Sequence, residues 1–287
     1  MSKRIYPAVG KAASGRTPTS LRIALHGLFI PAMCAVCGEN HTSFGICENC
    51  SEALDEALSP QARFVITAAN SFKMECAAVF SYKNDAVKRL LFYLKAHTNR
   101  YAVGYGAIRL LGVMHTFDLQ GTTLLVNVPR SARGKKDFGF DQSELLARRI
   151  AKILRKSGEP VRFAPLLKRT RRTTPQKELS AAERAVSQRG AFRVKRFSAR
   201  FYGAPDNIVL IDDVITTGSS LGECAATLSR LYPHAKLYGA ALAKTEFSTA
   251  QPSGNFAKTS SNGTPFSRCS FSNQNQVLWR HLSPKER

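Results

Sequence analysis

At 287 residues the chain is long enough for one full α/β domain and a small appendage. Hydrophobic residues make up 44%, the ordinary share for a globular protein, and the formal net charge is +22. The charge is uneven: Arg130 to Arg200 carries 21 lysines and arginines against 6 acids, which points to polyanion contact. The apolar run Ile23–Met33 is interrupted by His26 and is too short and too polar to span a bilayer. With no clear export signal, the expected location is cytoplasmic.

In chain order, residues 1–20 are basic and rich in small residues, and read as flexible. Leu21–Phe29 reads as a short amphipathic helix. Four cysteines follow as Cys34-x-x-Cys37 and Cys47-x-x-Cys50. Two such knuckles can present four thiolates tetrahedrally to one structural Zn²⁺. Two disulfides or a redox pair are the other uses of this pattern, and disulfides do not suit an unexported chain. Cys76 and Cys224 stand alone in apolar segments and read as core thiols.

Glu52–Leu58 reads as helix, Gln61–Met74 as a connector and Cys76–Tyr82 as a strand. Asn84–Lys95 carries Ala86, Val87, Leu90, Leu91 and Leu94 at helical spacing, and a second helix spans about Tyr101 to Met114. Leu124–Val128 is an apolar strand ended by Pro129, and Ser143–Lys156 an amphipathic helix. Phe163–Phe197 is a long basic stretch, with room for a flap over a site. Strands at Asn207–Ile211 and Lys236–Ala243 bracket a helix at about Leu221–Leu231, and residues 245–287 read as a disordered tail. Strands alternating with helices imply a parallel sheet. The implied organisation is a flexible segment over 1–20, a zinc-ribbon region with connector over 21–74, the main domain over 75–244 and the tail over 245–287.

The segment NIVLIDDVITTGSS, Asn207–Ser220, is the most informative. Ile208–Ile211 reads as a buried parallel strand. Thr216, Thr217, Gly218, Ser219 and Ser220 offer hydroxyls and backbone N–H groups to a phosphate, backed by the dipole of the next helix. Asp212 and Asp213 sit at the carboxyl end of the strand, where open α/β sheets bind ligands. Two carboxylates beside a phosphate make sense if they grip sugar hydroxyls or a divalent cation.

This segment resembles the signature of the phosphoribosyltransferases, which bind 5-phosphoribosyl-1-pyrophosphate (PRPP). The resemblance implies that Asp212 and Asp213 contact the ribose hydroxyls and Mg²⁺, and that Thr216–Ser220 hold the 5′-phosphate. Purine-salvage members carry an acid where this chain has Thr216, which argues against hypoxanthine-guanine salvage. After Leu124–Val128, the loop holding Arg130, Gly134 and Lys135 could take the pyrophosphate, with Arg130 and Lys135 as its cations.

The cysteine knuckles, Val128-Pro129, Gly139-Phe140-x-Gln142, Leu145-Leu146-Ala147, Thr174-Pro175-Gln176, Arg184, Arg189-Gly190-Ala191-Phe192 and Asp212–Ser220 occur in one order. From about Ala32 to Lys244 the chain is similar to the ComF family, the competence-protein-F-like phosphoribosyltransferases. The resemblance implies a type I phosphoribosyltransferase-like parallel sheet flanked by helices, behind a small Cys₄ zinc ribbon. It also implies a link to DNA uptake during transformation. Phe138, Asp141 and Ser187 depart from the family pattern, and an acid at 141 is expected to weaken pyrophosphate binding. Two functions stay open: phosphoribosyl transfer from PRPP–Mg²⁺, or a non-catalytic protein that binds single-stranded DNA or a DNA-uptake helicase.

Overall fold

In the computed structural model, residues 33–39, 45–59, 62–67, 72–96, 100–130, 139–170 and 190–245 are described. The expected helix at Leu21–Phe29, Lys135, Phe138, Ser187 and the tail fall outside them, as does most of the basic stretch read as a flap. The elements are α1 (Glu48–Asp55), β1 (Arg63–Thr67), β2 (Lys73–Ser81), α2 (Asp85–Ala96), α3 (Arg100–Met114), β3 (Thr123–Asn127) and α4 (Gln142–Lys156). They continue with β4 (Val161–Phe163), β5 (Leu167–Arg169), β6 (Phe192–Val194), α5 (Arg196–Ala199), β7 (Asn207–Ile215), α6 (Ser219–Ser229) and β8 (Lys236–Lys244).

Six strands form one sheet in the order β1-β2-β8-β7-β3-β4. All its pairings are parallel except β1 with β2. Strands β5 and β6 form a separate antiparallel pair. The central strands are covered on both faces, which explains their unbroken apolar runs. In β7, Val209 and Ile211 face a core shared with α2, α3 and α4, while Ile208 and Leu210 face a second core with α6 and the β5–β6 pair. Each fully buried side chain such as Leu146, Ile150 or Leu210 contributes roughly 1.5–3 kcal/mol.

Three expectations change. The stretch read as a connector contains β1, an edge strand whose Phe64 and Ile66 turn inward while Arg63, Val65 and Thr67 are exposed. Strand β7 does not stop before the acids but runs through them to Ile215, because β8 continues to pair with it at Asp212↔Ala241 and Val214↔Ala243. Helix α1 begins at Glu48, inside the second cysteine pair.

The cysteine region is packed into the larger core. Cys34, Ala35, Val36, Ile46 and Leu54 share one apolar cluster with α2 and α3. Gly45 lies so close to α3 that a Cβ there would fall 2.3 Å from the Tyr101 Cβ, and its φ of 80° suits glycine. Buried Arg109 of α3 pairs with Asp55 of α1 and donates to the Tyr105 hydroxyl at 2.9 Å. Among the described residues, no helix is long and apolar enough to cross a membrane.

Candidate ligand site and metal centre

The connection β3–α4–β4 runs toward one edge of the sheet, and β7–α6–β8 runs toward the other. Helices α4 and α6 lie on opposite faces. The gap between β3 and β7 is therefore a topological switch point, where the carboxyl ends of the strands open a crevice. The β3–β7 register ends at Asn127↔Ile211, closed by the Val128 N–H donating to the Ile211 carbonyl at 2.9 Å; Asp212 and Asp213 follow directly in β7, and Arg130 comes three residues after Asn127.

The two acids are bound differently. Asp212 accepts from the Asp213 backbone N–H at 2.9 Å and from the Ser143 hydroxyl, at the start of α4, at 3.3 Å. Burial and the charge of Asp213 hold its carboxyl well above the usual carboxylate range. Asp213 accepts from the Val214 N–H at 2.8 Å and pairs with Lys95 at 3.3 Å. Beyond Ile215, the Thr217 and Ser219 hydroxyls share a hydrogen bond of 2.9 Å, and Ser219 N–H donates to Thr217 Oγ1 at 3.4 Å. Thr216 is exposed, and Ser220 lies in the first turn of α6.

Gly218 caps α6 with φ of 72°, a left-handed conformation that side chains disfavour. A Cβ there would also meet the Ile66 side chain at 2.6 Å. The edge strand β1 thus forms a wall behind the turn. The result is a run of N–H and hydroxyl donors at a helix N-terminus, with two carboxylates a few residues earlier on the strand that leads into it. Such a surface can hold an anionic group on one side and hydroxyls or a divalent cation on the other.

Arg130 is aimed by α4: its guanidinium donates to Gln142 Oε1 at 2.8 Å, and its backbone N–H to Asp141 at 3.0 Å. Gln142 in turn donates to the Lys95 carbonyl at 3.3 Å. Asp141, expected to oppose an anion, is instead buried, and its carboxylate caps α4 through the Glu144 N–H. Its carboxylate accepts from two backbone donors, the N–H groups of Arg130 and Glu144. Among the proposed site residues, Arg130, Asp212, Asp213 and Thr216–Ser220 lie at or just beyond the carboxyl ends of β3 and β7; Lys135 lies outside the described residues.

Sequence reading missed Lys95, Ser143 and the positioning role of Gln142. Lys95 closes an otherwise ordinary amphipathic helix. Its signal was a lone cation on the turn that α2 presents to the strand ends.

The four cysteines converge. Their sulfurs all lie within 4.8 Å of one another, and Cys37 and Cys47 Sγ are 3.8 Å apart. Zn–S bonds of about 2.3 Å in a tetrahedron place sulfurs about 3.8 Å apart, so the set fits zinc. Cys34 Sγ also accepts from the Val36 and Cys47 N–H groups, each at 3.4 Å. Burial pushes the Cys34 thiol up, but the N–H groups of Cys37, Cys47 and Val36 outweigh it and bring the value to about 7. Burial raises Cys37 and Cys50, so a cation is what would let those two carry thiolate. Cys76, pushed up by burial to about 12, and buried Cys224 are inert core thiols.

Comparison with known proteins gives the family. The chain is 30% identical over 223 residues to the DNA utilization protein YhgH of Escherichia coli K12, a match spanning 71% of this chain and 93% of that protein. Competence protein F of Haemophilus influenzae is 24% identical over 221 residues, covering 74% of this chain and 88% of the relative. The chain belongs to the ComF family. No protein-family model matches this ComF-family chain. Among solved structures, TT1426 from Thermus thermophilus aligns over 52% of this chain and 86% of its own, at 13% identity and a TM-score of 0.26, too slight a likeness to carry weight. The YhgH protein of Salmonella typhimurium is 27% identical over 225 residues.

Proposed function

We propose that the crevice between β3 and β7 binds PRPP with Mg²⁺, or a related ribose 5-phosphate ligand, on a type I phosphoribosyltransferase-like fold. The observation that carries this reading is the position of the acid pair and of the hydroxyl-rich turn: the acids stand in the last residues of one strand at the switch point, and the turn follows that strand. Thr216, Thr217, Gly218, Ser219 and Ser220 hold the 5′-phosphate through N–H and hydroxyl donors. Asp212 and Asp213 hold the ribose hydroxyls and the cation, and Arg130 and Lys135 face the pyrophosphate. In transfer, an acceptor nucleophile bonds to C1 of the ribose as the C1–O bond breaks and pyrophosphate departs with the electron pair. Mg²⁺ supplies charge stabilisation to that leaving group.

The test is titration calorimetry of PRPP with and without Mg²⁺, on wild type and on Asp212→Asn/Asp213→Asn. Binding that needs Mg²⁺ and disappears in the double variant is expected. Equal binding by the variant would sink the assignment.

A second reading is favoured by charge and by kinship. The segment from Arg130 to Arg200 is strongly basic, and relatives bear the names DNA utilization protein and competence protein F. In this reading the protein works in cytoplasmic handling of DNA and binds single strands or a DNA-uptake helicase. Affinity for single-stranded DNA should fall steeply with salt, since phosphate contacts release counterions. The Cys₄ zinc site is structural in both readings.

A further inference from the structure

On the face of the sheet opposite α3, a basin of about 860 Å³ lies between α6 and the β5–β6 pair. Lys168, Arg193, Arg196 and Arg230 line it against a single acid, Glu223. The Glu223 carboxylate accepts from the Gly190 N–H at 2.6 Å. The crevice between β3 and β7 shares none of these residues. From the rim of the basin, α5 carries Arg196 and then Phe197, and the chain turns to Phe201. Phe197 is 73% exposed and Phe201 63% exposed. Their rings meet edge to face, with centroids 5.5 Å apart and planes at 73°. Neighbouring Tyr202 behaves otherwise: its ring packs against the core and lies under the Arg162 guanidinium at 5.2 Å.

Two phenyl rings held in water, one of them following Arg196 at the rim of a basin lined by four cations, are costly to leave uncovered and mark an interaction surface. The cations select a polyanion. The rings select planar apolar groups, and an edge-to-face pair keeps ring faces open for stacking. Duplex DNA hides its base faces inside the stack, whereas a single strand offers phosphates and base faces together. We infer that the basin and the Phe197–Phe201 pair form a binding surface for single-stranded nucleic acid. Phosphates run along Arg193, Arg196 and Arg230, and bases stack on the two rings. This inference rests on the single-strand reading above and assigns it a place.

The experiment uses the full chain with zinc bound. Fluorescence anisotropy follows a labelled oligothymidylate, with oligouridylate and a duplex of matched length as competitors. Wild type, Phe197→Ala/Phe201→Ala and Arg193→Ala/Arg196→Ala/Arg230→Ala are compared, and thermal scans verify that each variant folds. The phenylalanine variant should bind roughly ten-fold or more weakly, the loss of at least one stacked base. The arginine variant should lower the salt slope of log affinity by about two. The duplex should compete poorly, and the two single-stranded competitors show whether sugar type matters.

Wild type that binds no single strand would overturn the underlying reading. Wild type that binds while the phenylalanine variant binds equally well would overturn this surface and leave the reading intact. A duplex that competes equally well would show that only phosphates are read. Capture of polyglutamate in place of oligothymidylate, lost in the phenylalanine variant, would reassign the surface to an acidic protein partner.

Discussion

The ammonium of Lys95 lies 3.3 Å from the carboxylate of Asp213, tying the last turn of α2 to the strand that carries the acid pair. Without that cation, two carboxylates face the crevice unbalanced, and a diphosphate ligand meets a stronger negative field. Lys95→Met is therefore expected to weaken Mg²⁺–PRPP binding by about ten-fold, or 1.4 kcal/mol, in calorimetry at fixed Mg²⁺. Unchanged affinity would show that the pair opens before the ligand arrives.

Asp212 is expected to be a stability liability in the ligand-free protein. Burial and Asp213 raise its pKa when folded, against about 3.9 when unfolded. A folded state that binds the proton more tightly loses stability as pH rises above about 4 toward the raised value. Asp212→Asn should thus melt higher than wild type at neutral pH without added Mg²⁺, and the two should converge as pH falls toward about 4. Thermal scans across that range decide it; parallel curves would contradict the raised pKa.

Zinc removal should unfold more than the knuckle. Cys34, Val36 and Leu54 share their core with α2 and α3. Elemental analysis should find one zinc per chain, lost in Cys34→Ser/Cys47→Ser. The melting temperature of that variant should drop by roughly 10 °C or more, since structural zinc contributes folding free energy directly. A variant that loses zinc but keeps its melting temperature would refute this coupling.

Arg109 is buried between Asp55 and Tyr105, whereas the Asp55 side chain is about half exposed. Arg109→Met should cost about 2 kcal/mol, while Asp55→Asn should cost less than about 1 kcal/mol because water screens that partner. Denaturant titration of both variants tests the asymmetry.

Gly218→Ala introduces two separable faults, a left-handed φ and a clash with Ile66. The φ alone costs roughly 1–2 kcal/mol. Combining it with Ile66→Ala should relieve the clash and not the backbone strain, so a double-mutant cycle should show favourable coupling while PRPP binding stays impaired. Complete rescue of binding would mean that the left-handed cap is dispensable.

The central architecture was legible because its signals are strong and local. Ile208–Ile211 is apolar on both faces, and α2 and α4 show regular helical spacing. The cysteine set was legible from spacing alone. Strand β1 was missed because it is an edge strand of five residues with only Phe64 and Ile66 turned inward. The reach of β7 through Asp212 and Asp213 was hidden because acids disfavour strands, and only pairing with β8 holds them there. The environment of Asp141 could not be read locally: the same carboxylate caps a helix here and would face solvent if α4 began a residue later. The basin beside α6 draws on residues from 168 to 231, and no contiguous motif announces it.

The sharing of α3 between the cysteine knuckle and the sheet also bears on the order of events during synthesis. The four cysteines leave the ribosome some fifty residues before α3 begins at Arg100 and more than one hundred before β7 and β8, the strands at the centre of its sheet. They are therefore available to a metal long before their packing partners exist. A zinc ion captured then would protect the thiols from oxidation and hold Gly45 and Ile46 in the shape that α3 later meets. Metal supply during translation, rather than after release, would then govern the yield of folded protein.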